Sequence, residues 1–403
     1  MVVALAIIWI GFQVMSGGLF LTPRNLWNLS VQSASIAIMA TGMVLIIVSR
    51  NIDLSVGSLL GFLGYTMAVV QTMWIPNALH LGFNQPYTWL LALAVGIIFG
   101  AVIGGFQGLI VAYGGVPAFI VTLGGFLVWR GLIFAYAQGQ TIAPMDGTFA
   151  LLGGGPNGSL GEWGSWIVGG VGCLAIAFAT LTTRRQRLSY GFPVRPMWAL
   201  ITVIVVACLV VLGAVWISNS YMWPDQLARQ YAQQHNIPIP PGGLQIPTGI
   251  AYPVLITIGV ALVMTYVATR RRFGRYVFAI GGNPEAAELG GINVRRTVTL
   301  TYVLMGVLVA ISAAVQTARL NAAVTNLGVQ NELDVISAAV IGGSSLSGGI
   351  GTIPGAVLGA VVMQSLRSGM VMLRVDSPTQ DIVVGIVLVA AVGFDTFLRR
   401  RGR

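Results

Sequence analysis

Residues 197–217 read MWALITVIVVACLVVLGAVWI, without one charged side chain. An apolar run of about 20 residues matches the length of a helix that crosses the roughly 30 Å hydrocarbon core of a bilayer. Comparable runs recur at 2–21, 29–49, 54–74, 89–113, 116–136, 166–182, 252–269, 297–317, 354–373 and 381–398. This repetition constrains the fold before anything else does. Within lipid each span must satisfy its own backbone hydrogen bonds, and the absence of alternating ten-residue segments selects helices over a barrel. At 56% hydrophobic residues and a mean hydropathy of +0.85, the expected fold class is all-α, a polytopic helical membrane protein.

The 21 basic residues are all arginine, and the formal net charge is +10. A chain without lysine has no P-loop, whose lysine holds nucleotide phosphates, so no ATPase site of that kind lies in it. The arginines flank apolar runs, which makes membrane orientation a simpler cause of the charge than nucleic acid. They collect at Arg184, Arg185, Arg187 and Arg195; at Arg270, Arg271, Arg272 and Arg275; at Arg295 and Arg296; and at Arg399, Arg400, Arg401 and Arg403. The positive-inside rule places these clusters in the cytoplasm. Parity then demands a further crossing between residue 317 and the C-terminus. The stretch ELDVISAAVIGGSSLSGG, residues 332–349, is read as a short or broken helix near 333–349 that supplies it. That gives about twelve crossings with both termini cytoplasmic. A broken helix at membrane depth is tolerated where protein or a water-filled cavity lines it. LSVG at 54–57 and LSGG at 346–349 form a faint internal echo, as expected of two halves built around Gly-rich helix starts. Cys173 and Cys208 lie inside apolar runs as small hydrophobes, no cysteine or histidine cluster proposes a metal, and no removable signal peptide is expected at the N-terminus.

Two polar stretches interrupt the apolar pattern on the arginine-rich side. In SRNIDLSVGSLLG, residues 49–61, Asp53 is placed to cap the following helix, and Asp53, Leu54, Ser55 and Gly57 form a candidate hinge or gate. Gly57, Gly61 and Gly64 would let another helix approach closely. In NPEAAELGG, residues 283–291, Asn283 caps, Pro284 takes the first helical position, Glu285 and Glu288 lie near the positive end, and Gly290 and Gly291 end the helix. So short a helix cannot persist alone in water and needs a surface to dock on. On the opposite side, residues 138–165 and 218–251 are loops, the second with a short amphipathic helix around Asp225 to Gln234.

EAAELGG, with Gly291 four positions beyond Ala287, resembles the EAA-x3-G coupling motif of ABC-importer permeases. AIGGNPEAAELGGINVRRT, NIDLSVGS, VPAFIVTLGGFLVWRG and VIGGSSLSGGIGTIPGAVLGA together are similar to the monosaccharide branch of that family, from about residue 25 to the C-terminus. The additional pair of spans at 166–217 is similar to the longer xylose-type members. The resemblance implies a two-repeat importer-permease architecture in which 1–403 is one transmembrane domain, 218–251 an outer loop and 276–296 a cytoplasmic coupling loop. It implies a homodimeric pathway in a bacterial inner membrane, a cytosolic ATPase subunit that holds ATP and Mg, an external sugar-binding protein, and a monosaccharide, D-xylose first, as substrate. No nucleic acid is expected as a partner, and no cofactor on this chain. Asn283, Pro284, Glu285, Ala286, Ala287, Glu288 and Gly291 become the ATPase-coupling residues, with Ala286 and Ala287 small enough for close seating. Glu288 departs from the basic or polar residue common there. Sugars are held by aromatic faces and amide or hydroxyl groups, so Gln32, Gln107, Phe119, Thr122, Phe126, Trp129 and Gln316 are candidates for the path. Arg130 and Arg319, near outer helix ends, are read as snorkelling. An ion-coupled transporter would place an acid or histidine deep in a span, and Asp53, Asp334, Asp381 and Asp395 instead fall near helix ends. Ribose, galactose or branched-chain amino acids are the alternative substrates for an ABC permease.

Overall fold

The computed structural model describes residues 1–78, 80, 82–240 and 243–401. Arg403 of the last arginine cluster lies outside the described residues, as do Pro241 and Gly242 of the 218–251 loop. In chain order the helices are α1 (Val2–Met15), α2 (Pro23–Val48), α3 (Val56–Val69) with a π-helical continuation (Val70–Ala78), α4 (Thr88–Ala112), α5 (Ala118–Ala137), α6 (Gly147–Leu151), α7 (Gly161–Ser189), α8 (Met197–Asn219) and α9 (Asp225–Gln234). There follow α10 (Tyr252–Arg270), α11 (Arg272–Gly282), α12 (Pro284–Leu289), α13 (Val294–Leu320), α14 (Asn331–Ile341), α15 (Ile353–Met372) and α16 (Ser377–Arg401). Among the described residues, nine helices are long and apolar enough to cross a membrane: α2, α3 with its continuation, α4, α5, α7, α8, α10, α13 and α15. The chain is a polytopic helical membrane protein.

Two expected crossings come out differently. The run at 2–21 breaks because Gly17 and Gly18 take φ of +64° and +94° after Met15, which leaves α1 with 14 residues. At 1.5 Å per residue it reaches about 21 Å, short of a full span. It packs on α15, where Trp9 Nε1 donates to Ser365 Oγ at 2.9 Å and Phe12 covers Gly369. At the other end α16 runs the 25 residues Ser377–Arg401, long enough for the span expected at 381–398, and the side chains of the last part of that span lie outside the described residues. The broken helix expected near 333–349 is α14, whose 11 residues extend only about 16 Å. Its second half is a turn, with Gly343, Gly348 and Gly349 at φ of +93°, +88° and +76°. The echo of LSVG in LSGG therefore does not mark two equivalent helix starts: 54–57 opens α3, whereas 346–349 turns ahead of α15.

The chain divides into two compact units, residues 1–21, 28–154 and 253–403 in one and 22–27 and 155–252 in the other. In the larger, α2 is the central helix, buried at every position from 36 to 48. A helix apolar on all sides fits either such a buried place or a lipid-facing one, and α2 takes the buried one. Against it lies α13, where Gly42 meets Met305 and Leu308, and α13 is in turn joined backbone to backbone with α4. Gly100, Gly104 and Gly108 fall at four-residue steps on α4, and a Cβ on Gly100 or Gly104 would meet the carbonyl of Gly306 or Tyr302. One on Gly306 would strike the carbonyl of Gly100. Where lipid removes the hydrophobic drive between helices, close van der Waals approach of small residues replaces it. Ser35 and Ser312 bridge α2 to α13 through hydroxyls 2.7 Å apart, with Ser312 Oγ donating to Ser35 O at 2.8 Å.

The smaller unit is the α7–α8 hairpin with its loop. Gly169 lies under Val215, and a Cβ there would come within 2.7 Å of Val215 Cγ2. Cys173 Sγ sits 3.9 Å from Cys208 O, so both cysteines pack as the small apolar groups their setting suggests. The amphipathic helix read at Asp225 to Gln234 is α9, which buries Ala228 and Ala232. Trp27 donates Nε1 to Gly249 O at 2.8 Å and its ring lies 5.0 Å from that of Tyr221.

Candidate coupling loop and polar cavity

Between α10 and α13 the chain leaves the long helices and forms α11 and α12. Asn283 Oδ1 accepts from Ala286 N–H at 3.1 Å, and Pro284 fills the first turn, where its missing N–H costs nothing. At the other end Gly291 takes φ +81°, with Gly291 N–H donating to Glu288 O at 2.9 Å and Ile292 N–H to Ala287 O at 3.0 Å. This is a Schellman ending, which any side chain at Gly291 would strain. Six residues with both ends closed thus form an independent short helix. It shows an apolar group to the outside: Leu289 is 90% exposed. Glu285, Ala286 and Glu288 are exposed beside it, while Ala287 is buried. Ala287 therefore seats α12 on its own chain rather than offering a small outward surface, and Leu289 is the outward residue that sequence reading passed over.

Three segments meet behind this loop. Arg50, at φ +65° just past α2, donates Nε to Gly281 O at 2.8 Å and Nη2 to Gly282 O at 2.7 Å. A guanidinium on the last carbonyls of a helix satisfies orphan acceptors and opposes the negative end of its dipole. The last turn of α2 is closed by the third segment, since Gly349 N–H donates to Val48 O at 3.0 Å. Gly281 touches Val48 and Gly349 so closely that a Cβ would collide with Val48 O.

A cavity of about 170 Å³ lies among α2, α13, α14 and α15. Its size is near that of a cavity that holds one benzene-sized ring. Four amides line it, each with either its carbonyl oxygen or its NH2 group engaged and the other end free of side-chain partners. Gln364 Nε2 donates to Gln32 Oε1 at 2.7 Å, and Asn331 Nδ2 donates to Gln316 Oε1 at 2.9 Å. Gln32 and Gln316 keep their NH2 groups, and Asn331 and Gln364 keep a carbonyl oxygen, so donors and acceptors face the same small volume. Arg319 also lines it, as does the pair Arg367–Asp334, whose Nη2 to Oδ1 distance is 2.9 Å. Asp381 stands 3.5 Å behind Arg367 and accepts from Gln330 Nε2 at 2.9 Å.

Only two of the seven expected path residues, Gln32 and Gln316, reach this cavity. Gln107, Thr122 and Trp129 gather instead about residues 52–58. The Ser55 hydroxyl stands 3.2 Å from the Gln107 amide, Thr122 Oγ1 lies 3.3 Å from Ile52 O, and Gly125 packs between Ser55, Gln107 and Trp129. Phe126 is half-buried on α5, and Phe119 is 52% exposed. Asp53 does not cap α3 as expected. Its Oδ1 accepts from Ser55 N–H at 2.9 Å and Ser55 Oγ–H at 2.6 Å, closing a turn ahead of the helix, and Ser55 takes the N-cap position. Leu54 is half-buried, and Gly57 lies against Gly328 and Glu332 at the entry to α14. Arg130 does not snorkel: Nη1 donates to Thr325 O at 3.2 Å and Leu327 O at 3.4 Å, holding the segment before α14. Ser35, Asn331, Gln364, Asp334 and Arg367 were missed as site residues. Their signal in the sequence was their polarity within apolar runs, and nothing local marks them as neighbours.

Long apolar helices around a small polar cavity, with one short helix turned outward, define a membrane transport permease. Residues 25–151 and 148–392 match the family described as branched-chain amino acid transport system / permease component. The chain is 36% identical to a xylose transport system permease of Haemophilus influenzae over 401 residues, covering 100% of this chain and 96% of the relative. Its Escherichia coli K12 counterpart matches at 36% over 100% of this chain and 92% of its own. A ribose import permease of the same organism is 31% identical over 93% of this chain and 87% of the relative. No solved structure matches the chain. The chain belongs to the family of ABC-importer permease components.

Proposed function

We propose that the chain is the transmembrane subunit of an ATP-driven monosaccharide importer, with D-xylose the first substrate and ribose and galactose behind it. Two copies form the translocation pathway, an external binding protein delivers the sugar, and both termini face the cytoplasm. A separate ATPase subunit, carrying ATP and Mg, docks on α12. The observation that carries the coupling role is the bare Leu289 on a helix too short to exist without a partner surface.

The cavity supports a sugar over the alternatives. Each hydroxyl of a sugar both donates and accepts, and the open ends of the four amides offer both. Arg367 is neutralised by Asp334 and Asp381, so no acid stands unpaired in the cavity to bind a coupling ion. The test is uptake into proteoliposomes by the assembled complex, with xylose, ribose, galactose and leucine compared. Gln32→Leu and Gln316→Leu are expected to lower sugar uptake about tenfold each, the loss of one or two hydrogen bonds to substrate. Transport of leucine and not of sugars would overturn the substrate reading. Uptake that needs no ATP would overturn the coupling.

A further inference from the structure

The α7–α8 hairpin ends in a charge imbalance. Arg184, Arg185, Arg187 and Arg195 lie in or just beyond the end of α7, and no Asp or Glu occurs between Glu162 and Asp225. Among the described residues none of the four has a carboxylate at salt-bridge distance. Charge at a helix end alone reports orientation in the membrane, but here a cavity is built around it.

Thr180, Thr183, Arg184 and Arg187 recur at three- and four-residue steps and so share one face of α7. With Arg195 of the connector and Leu200 of α8 they border a cavity of about 410 Å³. Arg184 Nη1 donates to Arg195 O at 3.1 Å, which fixes the connector and leaves four of the five guanidinium N–H donors. The threonine hydroxyls already donate within α7, to Ile176 O at 2.7 Å and Ala179 O at 2.8 Å. The free donors of the cavity are therefore guanidinium groups, which match a phosphate oxyanion in charge and fork geometry. Immediately beside them the hairpin is apolar and bare, with Phe178 and Trp198 each 72% exposed and Tyr190 and Phe192 at 78% and 62%. Aromatic rings at such a level belong to the headgroup zone of a bilayer.

We propose that this cavity holds the phosphate headgroup of an anionic phospholipid, with its acyl chains lying on the apolar surfaces of α7 and α8. Uncompensated arginines supply the affinity for charge, and the adjoining bare aromatic and aliphatic surface selects a lipid over a free anion. The site is independent of what the permease transports.

Native mass spectrometry of the full chain in detergent, titrated with phosphatidylglycerol or with phosphatidylcholine of the same chains, tests this. Phosphatidylglycerol should bind about tenfold more tightly, and R184Q/R187Q should remove about that preference. R185Q, which deletes a charge from the same helix end outside the cavity, should leave it unchanged, and R184K/R187K should retain most of it. Equal binding of the two lipids by the native chain would overturn the proposal, and this arm needs no variant to fold. An equal loss in R185Q, reporting bulk charge, would overturn it too, as would displacement of the lipid by millimolar inorganic phosphate.

Discussion

Leu289 allows the docking role of α12 to be tested without disturbing the fold. It is 90% exposed in the chain by itself, so replacing it by Ala removes almost no packing and should leave stability within about 0.5 kcal/mol of the parent. If an ATPase surface covers it, the same replacement withdraws three carbon groups from a buried contact. At about 0.8 kcal/mol per group the loss is about 2.4 kcal/mol, or a weakening of roughly fiftyfold. The assay is the affinity of the ATPase subunit for the permease in nanodiscs, measured beside the thermal unfolding of the permease alone. The expected result is a large drop in affinity with an unchanged unfolding temperature. An affinity within threefold of the parent would refute the reasoning, because it leaves less than about 0.7 kcal/mol for three carbon groups that full burial makes worth about 2.4 kcal/mol. A fall in both quantities would refute the premise that Leu289 contributes nothing to the isolated fold.

Asp334→Asn should destabilise the chain by about 3 kcal/mol, near the lower end for breaking a buried ion pair because Asp381 remains 3.5 Å from Arg367. Denaturant unfolding in detergent would measure it, and Asp334→Leu with Arg367→Leu should recover most of the loss; an unaltered single variant would remove the pair from the account of the cavity. Gly306→Ala should cost about 1–3 kcal/mol, since its new Cβ must push α4 and α13 apart at Gly100. Gly259→Ala on α10, with no atom within 4 Å of its Cβ position, should be neutral or slightly stabilising in the same unfolding assay.

How much of this could be read from the chain depended on whether the determining interactions were local. α12 was legible because its cap, proline and terminal glycines lie beside the residues they govern, and α9 because its small residues recur at helical spacing within a polar stretch. The hairpin of α7 and α8 was legible from two charge-free runs around an arginine-rich turn. The end of α1 was misjudged because hydropathy averaging passes over Gly17 and Gly18, although their backbone conformation breaks the helix. Asp53 had the right residue type for a cap and was displaced by a competing turn with Ser55, an alternative that Asp offers wherever it precedes a helix. The glycine row of α4 at 96, 100, 104 and 108 stood in the sequence at a regular four-residue step and was overlooked. The cavity is a different case. Gln32, Gln316, Asn331 and Gln364 come from four segments, and their meeting follows from how α2, α13, α14 and α15 pack, which no spacing along the chain encodes.

The guanidinium of Arg50 ties the end of α2 to the loop bearing α12, and the bond from Gly349 N–H to Val48 O ties the same end of α2 to the turn that separates α14 from α15. A displacement of the loop bearing α12 would therefore be felt at the end of α2 and at the turn before α15 together. The junction is a yoke: three segments far apart along the chain are fastened at one point.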